Sequence, residues 1–191
     1  MAKRARKPDT TKHAILDAAE RMARDGGYHD VSFRRIADDV GIKSASVFHH
    51  FASKEELGAA MARRYTDRFM ESIGDPHDAS TSPKKKLARY CDTYIHAQKV
   101  DRQMCLCGIL GAEISSLPKD VALEARRFFK LNIDWLEAAL APQNGKPKNK
   151  NGIRGKALLV LSALDGAMIV SRATGEKSIF DQVADQVSRL A

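Results

Sequence analysis

Cysteine is scarce in this chain, acidic residues are outnumbered, and neither a long apolar run nor a stretch of alternating polarity occurs. Three cysteines, Cys91, Cys105 and Cys107, supply neither the even framework of a secreted disulfide scaffold nor the four ligands of a structural zinc site. Free thiols in a reducing cytoplasm are therefore expected. The most apolar segment, Ala157 to Val170, is broken by Asp165 and flanked by Arg154, Lys156 and Arg172, short of the roughly 18 apolar residues of a membrane span. It reads as a buried helix, with no membrane partner. The N-terminus, MAKRARKP, begins as a signal peptide would, but TTKHAILDAAERMARDGG follows, which is charged and amphipathic, so no export is expected. Without period-two alternation there is no case for a sheet.

What the chain does have is positive charge, helical periodicity and enough apolar content, 43%, for a real core in 191 residues. Lysine and arginine exceed aspartate and glutamate by 32 to 24, a net charge of +8, which favours an acidic partner such as nucleic acid. The spacing predicts an all-α fold of about nine helices. The first covers roughly 10–25, with Ile15, Ala18, Ala19 and Met22 inward, Asp9 or Thr10 as cap and Gly26-Gly27 as stop. Ser32 caps a short second helix, FRRIADDV, that ends at Gly41, and Ser44 caps a short third, ASVFHHF. Ser53 and Glu56 form a capping box for a fourth that runs to about Gly74.

Further helices are expected from Pro83 to about Val100, over CLCGILGAEISS, over KDVALEARRFFKLNIDWLEAAL up to Pro142, and over roughly 153–174 and 178–190. Between the last three, PQNGKPKNKNG reads as the least structured internal segment. The helix over 153–174 is apolar nearly all round and needs cover on two sides, which points to a homodimeric helix bundle.

Two short helices joined by a tight glycine turn describe a helix-turn-helix unit, whose second helix enters the major groove N-terminus first. Lys43, Ser44, Ala45 and Ser46 occupy that leading end, while Val47 and Phe51, four apart, point inward. His49 and His50 fall on the outer side near the phosphates. As metal ligands they would diverge by about 100°, with no further ligand three or four residues away, so no metal site is expected.

The stretch IADDVGIKSASVFHHFASKEEL, residues 36–57, resembles the DNA-binding signature of the TetR family of transcriptional repressors, and with the preceding helix the likeness covers about residues 10–57. The resemblance implies a DNA-binding domain over 1–57, an effector-binding and dimerisation domain over 58–191, and a dimer that reads a two-fold operator in double-stranded DNA. It implies that Ser32 and Arg34 contact phosphates or bases, that Lys43, Ser44, Ala45, Ser46 and His49 meet the groove, and that His50 and Lys54 clamp phosphates. Phe48 stands where the family usually has a tyrosine, so that hydroxyl contact is missing and the ring packs or touches a thymine methyl. Arg35 stands where an acidic residue is common and is expected to serve a phosphate. The arm, with Lys3, Arg4, Arg6 and Lys7, lies along DNA or is merely a solvated tail.

CLCGILGAE resembles part of the effector domain of a subgroup that includes the N-ethylmaleimide-responsive repressor, matching at Cys105, Leu106, Ala112 and Glu113. That likeness implies a small-molecule or electrophile effector sensed by Cys105; a buried structural cysteine is the alternative. Tyr90, Tyr94, Phe128, Phe129 and Trp135 lie on helices that would line an effector cavity or fill an ordinary core. No cofactor is called for. Rival functions remain open: a helical thiol oxidoreductase using Cys105 and Cys107, a helical interaction protein that binds no DNA, and a DNA-binding protein without an effector switch.

Overall fold

A computed structural model describes residues 8–99, 103–142 and 150–190. The described residues form nine α-helices and one 3-10 turn, without a strand. In chain order these are α1 (Pro8–Gly26), the turn Tyr28–Asp30, α2 (Phe33–Val40), α3 (Ser44–His50), α4 (Lys54–Ile73), α5 (Pro83–Lys99), α6 (Leu106–Ala112), α7 (Lys119–Leu140), α8 (Lys150–Thr174) and α9 (Ser178–Ser188). The all-α expectation holds.

The first three helices make a small head. Ile15, Ala19, Ile36, Ala37, Val47 and Phe51 meet in its centre, each no more than 1% exposed. Two glycines shape it. Gly27, at φ 84°, stops α1, and Gly41, at φ 75°, occupies the left-handed region that ends α2. There the amides of Gly41 and Ile42 both donate to the Ala37 carbonyl at 2.9 Å, which turns the chain sharply into α3. At the start of α4, Ser53 Oγ accepts from the Glu56 amide at 3.0 Å while Glu56 Oε2 accepts from the Ala52 amide at 2.8 Å. The capping box forms, with its return bond one residue early.

Several expected boundaries move. The first helix already includes Pro8, the first described residue, so Asp9 and Thr10 lie inside it rather than capping it. Ser32 holds the N-cap position of α2 but its hydroxyl makes no cap bond, and the N-cap of α3 is Lys43, with Ser44 already helical. The helix expected through Ser116 ends at Ala112, beyond which the chain turns toward Pro118. Within PQNGKPKNKNG, residues 150–152 are already part of α8, and 143–149, like the basic arm at 1–7, lie outside the described residues.

α4 is the link between head and body: it packs on α1 at one side and on α7 and α5 at the other. Gly58 permits this. A Cβ there would fall 2.6 Å from the Tyr28 ring and 2.9 Å from Val121 Cγ2, so turn, α4 and α7 meet at a point where only hydrogen fits. α8 lies against α7 and α9, burying Ala157, Val160, Leu161 and Leu164, yet leaves Leu158, Leu159, Ile169 and Val170 40–54% exposed. By length and composition Asn151–Thr174 would also pass for a membrane span, although Asp165 sits within it and one of its faces is packed inside the protein.

Candidate nucleic-acid interface and interior cavity

α2 and α3 present one continuous polar surface. Arg34, Arg35, Lys43, Ser44, Ala45, Phe48 and His49 are exposed, and Ser32, Ser46, His50 and Lys54 are half-buried beside them. Val47 and Phe51 point inward as the helical spacing predicts. The helix-turn-helix geometry therefore brings together the residues expected at the groove. Phe48 is 57% exposed and rests edge-on against Phe33, ring centroids 4.6 Å apart. The rings of His49 and His50 lie 5.7 Å apart and tilted by 69°, and the described residues gather no set of three His, Cys, Asp or Glu side chains around a point.

Two expected phosphate contacts are engaged within the protein. Arg35 pairs with Asp30, Nη1 to Oδ2 at 3.1 Å, and donates to the Asp30 carbonyl at 3.2 Å. Lys54 donates to the His29 carbonyl at 3.0 Å and its ammonium lies 4.7 Å from the centre of the Tyr28 ring. Burial lowers the Lys54 pKa, opposed by the charges of Asp30 and Glu113. Both cations brace the Tyr28–Asp30 turn, which no pattern in the sequence marked.

The same turn ties the head to the body. The Tyr28 amide donates to Glu113 Oε2, beyond α6, at 2.9 Å. Arg24, buried in α1, donates through Nε to the Met104 carbonyl at 2.7 Å, and Arg172 of α8 donates to the carbonyls of Arg24 and Asp25 at 3.1 and 2.7 Å. Arg172 thus satisfies carbonyls that the last turn of α1 leaves without an intrahelical partner, at the negative end of that helix.

Between head and body lies a cavity of about 460 Å³, walled by Glu20 and Arg24 of α1, Tyr65 and Phe69 of α4, Tyr94 of α5, and Cys105. A second, of about 480 Å³, shares Gln103 and Met168 with it and extends to Arg172 and Asp181. Of the five aromatic residues expected around a cavity, Tyr94 lines the first. Tyr90, Phe128 and Trp135 are packed core, with Phe69 bridging Tyr90, Tyr94 and Phe128 at 5.2–5.7 Å. Their polar atoms are used internally: Tyr90 donates to Asn132 at 2.8 Å and the Trp135 indole donates to the Gly74 carbonyl at 2.7 Å.

Cys105 is 1% exposed and its sulfur accepts from the Gly108 amide at 3.3 Å, capping α6. Burial, and then the charge of Asp165, push its thiol pKa far above the ordinary value; burial raises Cys107 as well. A thiol that reacts readily near neutral pH has a depressed pKa, so these surroundings favour packing and capping over redox chemistry and leave the oxidoreductase reading without support. Asp165, on the α8 side of Cys105, has its pKa raised to about 6 by burial, an effect opposed by the Cys105 thiol and the Tyr94 hydroxyl.

A sequence profile of the bacterial regulatory proteins of the tetR family matches residues 15–61, from α1 into α4. The crystal structure of a TetR transcriptional regulator from Legionella pneumophila superposes with a TM-score of 0.85 at 29% identity, covering 99% of this chain and 98% of that one. Over its N-terminal part in sequence, and over its whole length in fold, the chain is similar to the TetR family of transcriptional regulators. Among its relatives is the HTH-type transcriptional repressor KstR2 of Mycolicibacterium smegmatis, 27% identical over 143 residues, 73% of this chain and 70% of that protein. Other curated repressors match over 36–37% of their length. Reduced NemR of E. coli shares the fold at 18% identity and a TM-score of 0.72, covering 93% of this chain and 95% of that one. The Legionella protein and KstR2 are regulators of transcription, and the chain has the plan of a DNA-binding regulator.

Proposed function

We propose that this protein is a repressor that binds a two-fold operator as a homodimer in the cytoplasm and releases it when a small molecule fills the interior cavity. One observation carries the switch: the cavity has walls in both head and body, so an occupant touches α1 and α4–α5 at once. Residues 1–57 read DNA and 58–191 hold the effector and the dimer contact. In this reading Lys43, Ser44, Ala45, Ser46 and His49 enter the groove, Phe48 meets an apolar base edge, and Ser32, Arg34 and His50 hold phosphates. Arg35 and Lys54 shape the turn beside the DNA as well as adding charge.

The exposed Leu158, Leu159, Ile169 and Val170 of α8 are the surface that a second copy covers. Paired α3 helices then stand about 34–36 Å apart, one turn of DNA, and a ligand that favours a different separation shifts the population off the operator. Cys105 acts as a wall and cap rather than as the sensor, in keeping with its burial.

An electrophoretic shift with DNA from upstream of the protein's own gene, together with sedimentation analysis, tests the proposal. A dimer that shifts this fragment at lower concentration than random DNA is expected, with Ser46→Ala changing sequence preference more than general affinity. A monomer, or equal affinity for both DNAs, overturns it.

A further inference from the structure

The Tyr28–Asp30 turn takes its cap from far along the chain. Its N-cap residue, Gly27, offers no side chain, and the amide that opens the turn, that of Tyr28, donates instead to Glu113 Oε2 at 2.9 Å. Glu113 stands at the C-terminal end of α6, and its own backbone is fixed there. Its amide donates to the Ile109 carbonyl at 3.1 Å, and its carbonyl accepts from the amide and the hydroxyl of Ser116, both at 2.9 Å. Gly27 makes the approach possible: its φ of 84° suits glycine, and a Cβ there would collide with Glu113 Oε1. The bond thus depends on a glycine in the head and a carboxylate in the body.

What hangs from this bond is the base of the DNA-facing surface. The Tyr28 hydroxyl donates to the Lys54 carbonyl at 3.1 Å, and the Lys54 ammonium reaches back over the Tyr28 ring to the His29 carbonyl. Asp30 and Glu113 are also the negative charges that oppose the lowering of the Lys54 pKa by burial. Arg35 of α2 holds Asp30 through both its carboxylate and its carbonyl. A shift of the turn therefore carries with it the start of α4 and one flank of α2. The ties made by Arg24 and Arg172 act on the end of α1, whereas Glu113 acts on the turn. A local side-chain cap would serve the stability of the turn equally well; a cap from the end of α6 also fixes where the turn lies on the body.

We propose that Glu113 is a positioning residue for DNA recognition: through the Tyr28 amide it sets the placement of the helix-turn-helix on the body, which two heads need if both are to fit one operator. This rests on the reading of the protein as a dimeric repressor and gives that reading a residue outside the DNA-facing surface. The bond matters most where two α3 helices must meet a fixed spacing, and little on random DNA, where phosphate contacts dominate. Without it the placement of each head varies, and operator affinity falls with the fraction of molecules in the fitting arrangement.

Glu113→Ala and Glu113→Gln test this, because both remove the charge and only the glutamine keeps an acceptor for the Tyr28 amide. On DNA from upstream of the protein's own gene, Glu113→Ala should bind about tenfold more weakly than Glu113→Gln, the worth of one hydrogen bond, while random DNA binds both alike. Spin labels on Asp38→Cys in α2 and Arg126→Cys in α7, two exposed positions in a chain whose own cysteines are buried, read the placement directly. With labelled chains diluted in unlabelled protein, the distance distribution should be broader for Glu113→Ala than for Glu113→Gln. If the alanine variant does not fold, Glu113→Asp against wild type gives the same two comparisons, since it keeps the charge and withdraws the carboxylate by one methylene. Equal operator affinity within the pair, an equal loss on operator and random DNA, as a role in stability alone would give, or unchanged distances overturns the proposal. A wild-type chain that does not prefer the upstream fragment removes the repressor reading, and the distances then decide the role of Glu113.

Discussion

At the scale of single residues, the energetics concentrate where charge is buried. Asp165 keeps its proton to about pH 6 in the folded chain, against an ordinary value of 3.8. Between those values the folded state holds a proton that the unfolded chain has lost, so stability falls as pH rises through this window and the penalty is constant above it. Asp165→Asn should therefore raise stability at pH 7 by about 2 kcal/mol in chemical denaturation, and flatten the loss between pH 4 and 6. Lys54 makes a second case. Its ammonium is shared between the His29 carbonyl and the Tyr28 ring, beside the DNA-facing surface. Lys54→Ala should cost about 1 kcal/mol of stability through the lost cation–π contact, and should weaken all DNA sequences alike, reducing the salt slope by about one. Lower stability with an unchanged slope would assign the lysine to the turn alone.

At the scale of elements, short helices depend on what stops and braces them. α2 and α3 are too short to persist as isolated helices and stand because Gly41 turns one into the other and Ile36, Val47 and Phe51 close beneath them. α4 depends on a close approach at Gly58. Gly58→Ala should destabilise the protein by about 1–3 kcal/mol, seen as a lower denaturation midpoint, because neither the Tyr28 ring nor Val121 can retreat from a packed core. α8 carries its polar interruption, Asp165, toward α6 and its exposed leucines outward, an arrangement that its composition alone left unassigned.

For the whole molecule, the contacts that matter are those between head and body. Three of them are Arg24 on Met104, Tyr28 on Glu113, and Arg172 on Arg24 and Asp25, and the first and third are made by residues that line the cavities. Arg172→Met removes the bonds at the C-terminal end of α1 and should increase amide hydrogen exchange over residues 24–30 while α7 retains its protection. Equal exchange in both chains would mean that Arg172 does not restrain the head.

What the sequence determined by itself is local in origin. Periodicity placed the nine helices, Gly41 and the spacing of Val47 and Phe51 placed the helix-turn-helix, and residues 36–57 carried the family likeness, because each depends on neighbours within a few turns of chain. Boundaries such as those of α6 and α8 slipped by a few residues, since packing rather than propensity decides where a helix frays. The tertiary structure alone decided which polar side chains become partners across distances of tens of residues. It turned Arg35 and Lys54 toward the Tyr28–Asp30 turn, buried Cys105 as a cap, and left Asp165 facing phenols and thiols. The physical reason is that a charge is costly or useful according to what surrounds it, and those surroundings come from five helices that meet only when the chain has folded.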